Sequence, residues 1–174
     1  MNKAIFLDRD GVINECQSDR VTFVTSPKNL FLCQGIVEDI QELRQIGFKI
    51  FVVTNQGGID WGVHSLQQVN AIHDHLQTRI EVDEIVMCPH HPRRTICDCR
   101  KPSPKMILDL AKKHRINLAK SWMVGDRDTD IQAGERAGCM TFLVKLNQGL
   151  EEFMKVLREN PSSSQKMKKG SQLM

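Results

Sequence analysis

Residues 4–12 read AIFLDRDGV, a short apolar run that ends in two aspartates, Asp8 and Asp10. A continuous apolar run of this length predicts a strand that is buried on both faces, as in a parallel sheet. Ligands of open parallel sheets bind outside the carboxyl ends of the strands. The stretch therefore predicts a strand at residues 4–7 that delivers two carboxylates to a binding edge.

Similar apolar runs follow along the chain, separated by segments with helical periodicity. We predict strands at residues 4–7, 50–53, 85–87, 122–124 and 140–144, and helices at residues 36–46, 65–79, from 103 onward, 128–138 and 150–158. Ser65 with Gln68 three residues later is typical of a helix start, as is Pro104 after Ser103. The alternation predicts a three-layer, Rossmann-like α/β fold with a mostly parallel sheet between helices.

Length and composition limit the number of domains and the classes of binding partner that we expect. The chain has 174 residues, of which 40% are hydrophobic and 26% charged. This predicts a single domain over residues 1–159, without room for a large cap domain, and a disordered basic tail over residues 160–174. No apolar run is long enough to cross a bilayer, so we expect a cytoplasmic protein that binds no membrane. The absence of tyrosine and a 5% aromatic content argue against nucleic-acid binding, and no leftover apolar helix face stands out, which favours a monomer.

Polar side chains also follow two other predicted strands. Thr54 and Asn55 come after the second strand, and Asp126 follows the fourth. Parallel strands would bring Asp8, Asp10 and Asp126 to one edge, where a divalent cation would relieve their mutual repulsion. Carboxylates with no histidine nearby in sequence suit magnesium, which also binds phosphate oxygens. The pattern predicts phosphoryl transfer at a magnesium site.

The residue types at this edge can divide the labour of such a reaction. One aspartate can attack phosphorus to form an aspartyl phosphate, while the other protonates the leaving oxygen and later activates water. Lys101 precedes a predicted helix start and can neutralise the phosphate, and Thr54 and Asn55 can hydrogen-bond its oxygens. Any one aspartate alone would be interpreted as a turn or cap residue, so the site is inferred from the joint pattern.

Other titratable residues receive structural interpretations. Asp128 and Asp130 are interpreted as helix-cap and first-turn acids, which favour the positive end of a helix, rather than as ligands. Four histidines are interpreted as surface or loop residues without a catalytic role: His64, His73, His75 and His114.

These motifs resemble those of the haloacid-dehalogenase (HAD) superfamily of phosphatases, and the resemblance covers residues 3–144. Residues 8–12 (DRDGV) are similar to the first motif of that superfamily, residues 54–56 (TNQ) to the second, Lys101 to the third and residues 125–126 (GD) to the fourth. The resemblance implies a HAD-like fold in which Asp8 is the nucleophile and Asp10 the acid and base. It also implies magnesium held by Asp8, the backbone carbonyl of Asp10, and Asp126.

Cysteine and histidine residues cluster between positions 88 and 99. Cys88 and His90 form a Cys-x-His pair, and Cys97 and Cys99 form a Cys-x-Cys pair. Three thiolates and one imidazole make a closed tetrahedral zinc site, which has no open position for water. We predict a structural zinc that holds residues 89–96 as a loop beside the active site. The alternative is a set of reduced surface thiols.

The spacing of this cluster is similar to that of one subfamily of HAD phosphatases, in which the first histidine, here His90 rather than His91, is the ligand. One branch of that subfamily acts on the 7-phosphate of D-glycero-D-manno-heptose-1,7-bisphosphate, and the other acts on histidinol phosphate. Both branches lack a large cap domain. Residues 55–59 and 88–92 are more similar to the heptose branch, whereas the short loop between the zinc pairs is similar to the histidinol branch.

Substrate contacts are predicted for two arginines, Arg100 and Arg127, and for residues 14–19. Two arginines suit a small metabolite with two phosphates, which favours the heptose bisphosphate over histidinol phosphate. The resemblance to the heptose branch then implies a cytoplasmic step in making activated heptose for lipopolysaccharide or other surface glycans. The alternatives are a histidinol-phosphate phosphatase, a nucleic-acid 3′-phosphatase and a non-catalytic, zinc-stabilised binding module. The residues assigned to phosphate and substrate binding are Thr54, Asn55, Gln56, Arg100, Lys101 and Arg127.

Overall fold

The computed structural model describes residues 1–159, and the predicted tail over residues 160–174 lies outside this part. Five parallel strands form one sheet in the order β3-β2-β1-β4-β5. The strands are β1 (Lys3–Leu7), β2 (Phe48–Asn55), β3 (Glu84–Cys88), β4 (Trp122–Gly125) and β5 (Met140–Leu143). The helices are α1 (Ile36–Gln45), α2 (Leu66–Gln77), α3 (Lys105–His114), α4 (Asp128–Ala137) and α5 (Glu151–Glu159).

Alternate residues of the central strand β1 enter two separate hydrophobic cores. Ile5 and Leu7 pack in one core, which also contains buried residues of α1, α2 and α5. Ala4 and Phe6 pack in the other, together with buried residues of α3 and α4. A strand covered on both faces has no polar face, which explains its continuous apolar sequence. The sheet is thus the middle of three layers, as predicted.

The strand register brings the predicted site residues to one edge of the sheet. Leu7 pairs with Val52 of β2 and with Val124 of β4, so these three residues lie at the same level. Asp8 follows Leu7, and Asp126 lies two residues after Val124. Both aspartates therefore emerge at the carboxyl edge, next to each other, because β1 and β4 are adjacent and parallel.

The predicted strands and helices are present, with bounds that differ by a few residues. Helix α3 begins at Lys105 rather than at 103, because Pro104 occupies its N-cap position. Two short 3-10 helices, Pro27–Asn29 and Leu118–Lys120, were not predicted, since three residues carry no readable periodicity. Within residues 1–159, no helix has the length and apolar character needed to cross a membrane.

Asp83, just before the edge strand β3, connects the sheet to α1 through hydrogen bonds of its carboxylate. Its carboxylate accepts hydrogen bonds from Arg44 Nη1 at 2.8 Å, Lys49 Nζ at 3.0 Å and the Ile50 backbone N–H at 2.8 Å. Burial opposes ionisation here, but these three donors outweigh it and lower the pKa of Asp83. The carboxylate form is therefore the one that stabilises the fold.

We expect Asp83→Asn to lower the free energy of unfolding at pH 7 by about 1–2 kcal/mol, because charge-assisted hydrogen bonds are lost. Since the pKa of Asp83 is lower in the folded state, this stabilisation is complete above the ordinary value of 3.8 and is lost as the pH falls through the folded value. Urea unfolding of wild type and variant between pH 3 and pH 8 measures the difference. The exposed Asp74→Asn change is the control, and an equal effect of both changes would contradict the expectation.

Candidate active site

Asp8 lies at the carboxyl end of the central strand and is only 7% exposed. Its backbone N–H donates to the carbonyl oxygen of Val124, at 3.1 Å, which extends the β1–β4 pairing by one residue. Its Oδ1 accepts from the Arg9 backbone N–H at 2.8 Å and lies 2.9 Å from Lys101 Nζ. Burial raises the pKa of Asp8 to about 6, although Lys101 opposes this. A buried carboxylate beside a fixed ammonium group is a suitable nucleophile for a phosphoryl group.

Lys101 is a buried cation between two carboxylates. Its three ammonium hydrogens face three acceptors: Asp8 Oδ1 at 2.9 Å, Asp130 Oδ1 at 2.7 Å and the carbonyl oxygen of Val53 at 2.7 Å. Burial opposes the charged form, but the two carboxylates outweigh it and raise the pKa of Lys101. The sequence interpretation of Lys101 as a point charge beside the phosphate fits this position, 2.9 Å from the candidate nucleophile.

Three aspartates, two just after strand ends and one in the first turn of α4, can hold a metal ion. One carboxylate oxygen from each of Asp8, Asp126 and Asp130 lies within 4.8 Å of the others. The Oδ1 atom of Asp126 is buried and has no hydrogen-bond partner within residues 1–159, which is costly for a carboxylate unless a cation is bound. Gly11 (φ +91°) permits the close approach, because a Cβ there would lie 2.8 Å from Asp126 Oδ2. This all-oxygen donor set fits a hard divalent cation such as magnesium.

Asp10 lies two residues beyond Asp8, but its carboxylate is not one of the three that lie within 4.8 Å of one another. It accepts from Arg9 Nε at 3.0 Å and from Arg9 Nη2 at 2.8 and 2.9 Å. Asn14 Nδ2 and Gln56 Nε2 each donate to it at 3.0 Å. Burial raises the pKa of Asp10, but these neighbours outweigh it and lower the pKa overall. The network holds Asp10 as a carboxylate, the form that can take a proton from water.

The residues of the TNQ motif support other site residues. Asn55 clamps the backbone of Lys101: its Oδ1 accepts from the Lys101 N–H at 3.0 Å, and its Nδ2 donates to the Lys101 carbonyl at 3.1 Å. Gln56 Nε2 donates both to Asp10 and to Thr54 Oγ1, the latter at 2.9 Å. We expected direct phosphate contacts from all three residues of this motif. Asn55 and Gln56 thus support Lys101 and Asp10, while Thr54 and Asn55 also line the cavity over Asp8, so direct phosphate contacts from this motif stay a prediction.

A cavity of about 490 Å³ opens over Asp8 and Lys101. Two arginines line it, as expected for substrate contacts: Arg100, whose Nη1 donates to the carbonyl of His90 at 3.1 Å, and Arg127, whose side chain is 56% exposed. A second cavity of about 290 Å³ shares Asp10, Asn55 and Arg127 with the first. The candidate nucleophile Asp8 thus lines a pocket that combines three cations, which suit an anionic ligand, with four aspartates, which suit a metal ion bound beside it.

The four predicted zinc ligands converge beside this cavity. One ligand atom from each of Cys88, His90, Cys97 and Cys99 lies within 4.8 Å of the others. The Cys88 sulfur lies 3.0 Å from that of Cys99 and 3.7 Å from that of Cys97, and His90 Nδ1 lies 3.3 Å from the Cys99 sulfur. Tetrahedral zinc with bonds of about 2.0–2.3 Å holds its ligand atoms about 3.3–3.8 Å apart, which agrees with two of these separations, whereas the Cys88–Cys99 pair is closer. The donor set and its geometry fit a closed zinc site.

The loop that carries these ligands is tied to a second loop at the cavity wall. Asp60 Oδ2 accepts from the His91 backbone N–H at 2.9 Å, and the Asp60 N–H donates to the Pro89 carbonyl at 3.2 Å. The rings of Trp61 and His91 are 4.5 Å apart. These contacts join the cysteine loop to Trp61, which lines the second cavity.

Comparisons with known proteins agree with this geometry. The family model described as HAD-hydrolase-like matches residues 98–159. The D-glycero-beta-D-manno-heptose-1,7-bisphosphate 7-phosphatase of Helicobacter pylori strain J99 is 38% identical over 142 residues, which cover 78% of this chain and 79% of that protein. The enzyme of the same name from Escherichia coli K12 is 37% identical over 149 residues, covering 79% and 76%. The chain belongs to the HAD-like hydrolase family.

A solved structure supports the same assignment to the HAD-like family. The D,D-heptose 1,7-bisphosphate phosphatase from B. bronchiseptica, crystallised with magnesium and phosphate, is 39% identical and has a TM-score of 0.75. The match covers 88% of this chain and 86% of that one. The resemblance inferred from the motifs, the α/β fold and the phosphatase class are therefore confirmed. The alternative of a binding module without catalysis is not supported.

Three residues near the HAD-like site were misjudged or missed in the sequence. His73 was interpreted as a surface or loop residue, which is wrong: it lies on α2, is 7% exposed and contacts Arg9. Asp130 does lie in the first turn of α4 and accepts from the Arg127 N–H, as predicted, but it also binds Lys101. Asn147 was not singled out, although its side chain pairs with both backbone groups of Cys16. That pair fixes the start of the predicted substrate loop.

Proposed function

We propose that the chain is a magnesium-dependent phosphatase that removes the 7-phosphate of D-glycero-D-manno-heptose-1,7-bisphosphate in the cytoplasm, through an aspartyl phosphate on Asp8. The observation that carries the proposal is the buried Asp8 carboxylate beside Lys101, at the floor of a cavity lined by Arg100 and Arg127. Relatives that are 35–39% identical and named for this reaction support the choice of substrate.

The first half of the reaction transfers the phosphoryl group to the protein. An oxygen of Asp8 attacks phosphorus, and the charge of Lys101 next to it offsets the negative charge that gathers on the phosphate oxygens. The ester oxygen leaves with a proton from Asp10, which first has to take up that proton from solvent, because its resting form is the carboxylate. The second half hydrolyses the aspartyl phosphate: Asp10 removes a proton from the attacking water, in the carboxylate form that Arg9 stabilises.

Magnesium would be held by Asp8, Asp126 and the backbone carbonyl of Asp10, with Asp130 close enough to contribute. When bound, such an ion neutralises phosphate oxygens and orients them for in-line attack. The partnerless Oδ1 of Asp126 supports this assignment. The magnesium present in the related B. bronchiseptica structure supports it as well.

Two positive side chains favour a substrate with a second phosphate. Arg100 and Arg127 line the same cavity as Asp8, so one phosphate can be attacked while an arginine fork binds the other. Relatives named for either anomer of the heptose are comparably similar: 38% identity for a beta-named enzyme and 35% for an alpha-named one. We propose a small phosphorylated sugar as the partner and a monomer as the working form.

The deciding experiment measures phosphate release from both anomers of the heptose bisphosphate and from histidinol phosphate, with magnesium and with a chelator. We expect kcat/KM to be highest for one heptose anomer and to fall to background without magnesium. Higher kcat/KM on histidinol phosphate would overturn the choice of substrate. Light scattering of the same sample tests the monomer.

We also propose that Cys88, His90, Cys97 and Cys99 hold one structural zinc per chain. The proximity of the four ligand atoms supports the site, because three sulfur atoms this close are favoured as thiolates on a metal. The loop between the pairs reaches the cavity through His90 and His91, which contact Arg100 and Asp60. Zinc would therefore shape the substrate site without touching the reacting atoms.

Removing zinc is expected to raise KM by about tenfold before it unfolds the sheet, since ordering of the loop positions Arg100. The Cys97→Ser variant should contain less than one zinc by elemental analysis and show the same rise in KM. The separate thiol Cys139, which is outside the cluster, provides the control as Cys139→Ser. Unchanged KM in a zinc-free, folded sample would contradict the expected link.

A further inference from the structure

A buried line of polar contacts runs from helix α2 to the carboxylate of Asp10. Arg9 is 1% exposed and is the largest fully buried side chain in residues 1–159. Its Nε and Nη2 bind Asp10, and its Nη1 lies 3.0 Å from Nε2 of His73. His73 is itself buried on α2, between Ile72 and the next turn at Leu76. The line therefore connects the rigid helix to a candidate catalytic group.

The chemistry of the pair decides which group donates. An arginine side chain has only N–H donors, so Nε2 of His73 must accept, and the ring proton must be on Nδ1. Burial, together with the positive charge of Arg9, lowers the pKa of His73 to about 4, although Asp10 opposes this. His73 is thus a neutral acceptor whose position on α2 limits how Arg9 can rotate.

We propose that His73 is a positioning residue for the hydrolysis of the aspartyl phosphate: it holds Arg9, and Arg9 holds Asp10 where it can take a proton from water. This rests on the proposed roles of Asp8 and Asp10. The guanidinium group of Arg9 binds both oxygens of the Asp10 carboxylate, so it fixes the orientation of that carboxylate and also stabilises its charged form. Without an acceptor at His73, the buried Nη1 hydrogen of Arg9 lacks a hydrogen-bond partner. The guanidinium group then rotates toward another acceptor, which changes its contacts with Asp10.

The step that His73 would assist is the second half of the reaction. Water oxygen attacks phosphorus, the bond between phosphorus and the Asp8 oxygen breaks with its electron pair returning to Asp8, and the water proton moves to Asp10. Asp10 then releases that proton to solvent. Asn14 and Gln56 also hold Asp10, each at 3.0 Å, so the loss of His73 should slow the step without abolishing it.

The test uses p-nitrophenyl phosphate, whose leaving group departs without needing a proton, so that hydrolysis of the aspartyl phosphate limits turnover. His73→Leu keeps the apolar packing and removes the acceptor. His73→Gln places an amide oxygen near the position of Nε2. Because hydrolysis limits turnover, we expect kcat and KM to fall together by about tenfold in His73→Leu, which leaves kcat/KM within about threefold of wild type, and both to recover to within about threefold in His73→Gln. His75→Leu on the same helix is the matched control and should behave as wild type.

Acid quench at a substrate concentration well below the KM of wild type measures the fraction of enzyme that carries phosphate. That fraction should rise in His73→Leu, because formation of the intermediate is spared while its hydrolysis slows. Equal fractions in wild type and His73→Leu, a fall of kcat/KM as large as the fall of kcat, or no recovery in His73→Gln would each overturn the proposal. If the leucine variant does not fold, His73→Asn, whose shorter side chain falls short of Arg9, replaces it with the same expectations. Absence of phosphoenzyme from all variants and wild type would instead contradict the proposed function of Asp8.

Discussion

The Asp8→Asn variant is expected to lose at least about 10⁴-fold in kcat/KM on every substrate, because an amide cannot form the aspartyl phosphate. Asparagine has nearly the same shape as aspartate and keeps an oxygen that can accept from Arg9 and Lys101. The change therefore removes the nucleophile and little else. Phosphate release and acid-quench detection of phosphoenzyme should both fall to background.

The fold should survive this substitution. Asp8 is buried, and its raised pKa, about 6, means that burial already works against its charged form. Lys101 keeps a carboxylate partner in the variant, since Asp130 Oδ1 lies 2.7 Å from it. We expect the free energy of unfolding to change by no more than about 1 kcal/mol. Circular dichroism and urea unfolding separate a lost reaction from a lost fold.

Asp109→Asn is the matched control for this variant. Asp109 lies on α3, its side chain is 64% exposed, and it pairs with Lys105 at the surface. It should retain full activity. Retained turnover in Asp8→Asn, above the level that traces of wild type explain, would mean that water attacks phosphorus directly and that no aspartyl phosphate forms.

The sequence predicted those parts of the site in which backbone geometry alone determines which residues lie close together. Asp8 and Asp126 could be placed together because they follow adjacent parallel strands, and the register of such strands leaves little freedom. The four zinc ligands could be grouped because twelve residues span them. In the first case the parallel pairing of the strands predicts that the residues are close in space, and in the second case their small separation along the chain does.

Side-chain contacts between distant segments could not be obtained in this way. Asn147 reaches Cys16 across 131 residues, and no local pattern signals that contact. Asp130 approaches Lys101 because Gly125 leaves room, as a Cβ there would lie 2.2 Å from that of Asp130. Such fits depend on packing in three dimensions, which propensity and periodicity do not describe.

His73 was a different kind of error, because a signal for it does exist. Val69, Ile72, His73 and Leu76 are the buried residues of α2 and recur at the spacing of one helical face. A histidine on that face is expected to be buried, and a buried histidine needs a polar partner. Periodicity, applied to polar residues as well as apolar ones, would have found it.

Lys101→Met is expected to cause the largest loss of stability, about 3–5 kcal/mol in a magnesium-free buffer. The change leaves Asp8 and Asp130 buried without their shared cation, and leaves the Val53 carbonyl without its donor. Two unpaired carboxylates in one buried place repel each other, and one of them has to take up a proton. Urea unfolding at pH 7 with a chelator measures the loss.

Two further variants identify the physical cause. Lys105→Met removes a lysine that is 44% exposed, only four residues away, and should cost less than about 1 kcal/mol. Adding Asp130→Asn to Lys101→Met removes one of the two stranded charges and should recover part of the lost stability. Magnesium should also stabilise Lys101→Met more than wild type, since a cation at the three aspartates replaces some of the missing positive charge. If neither the second substitution nor magnesium recovers stability, the loss comes from packing around the lysine stem, and the electrostatic account of this buried group is wrong.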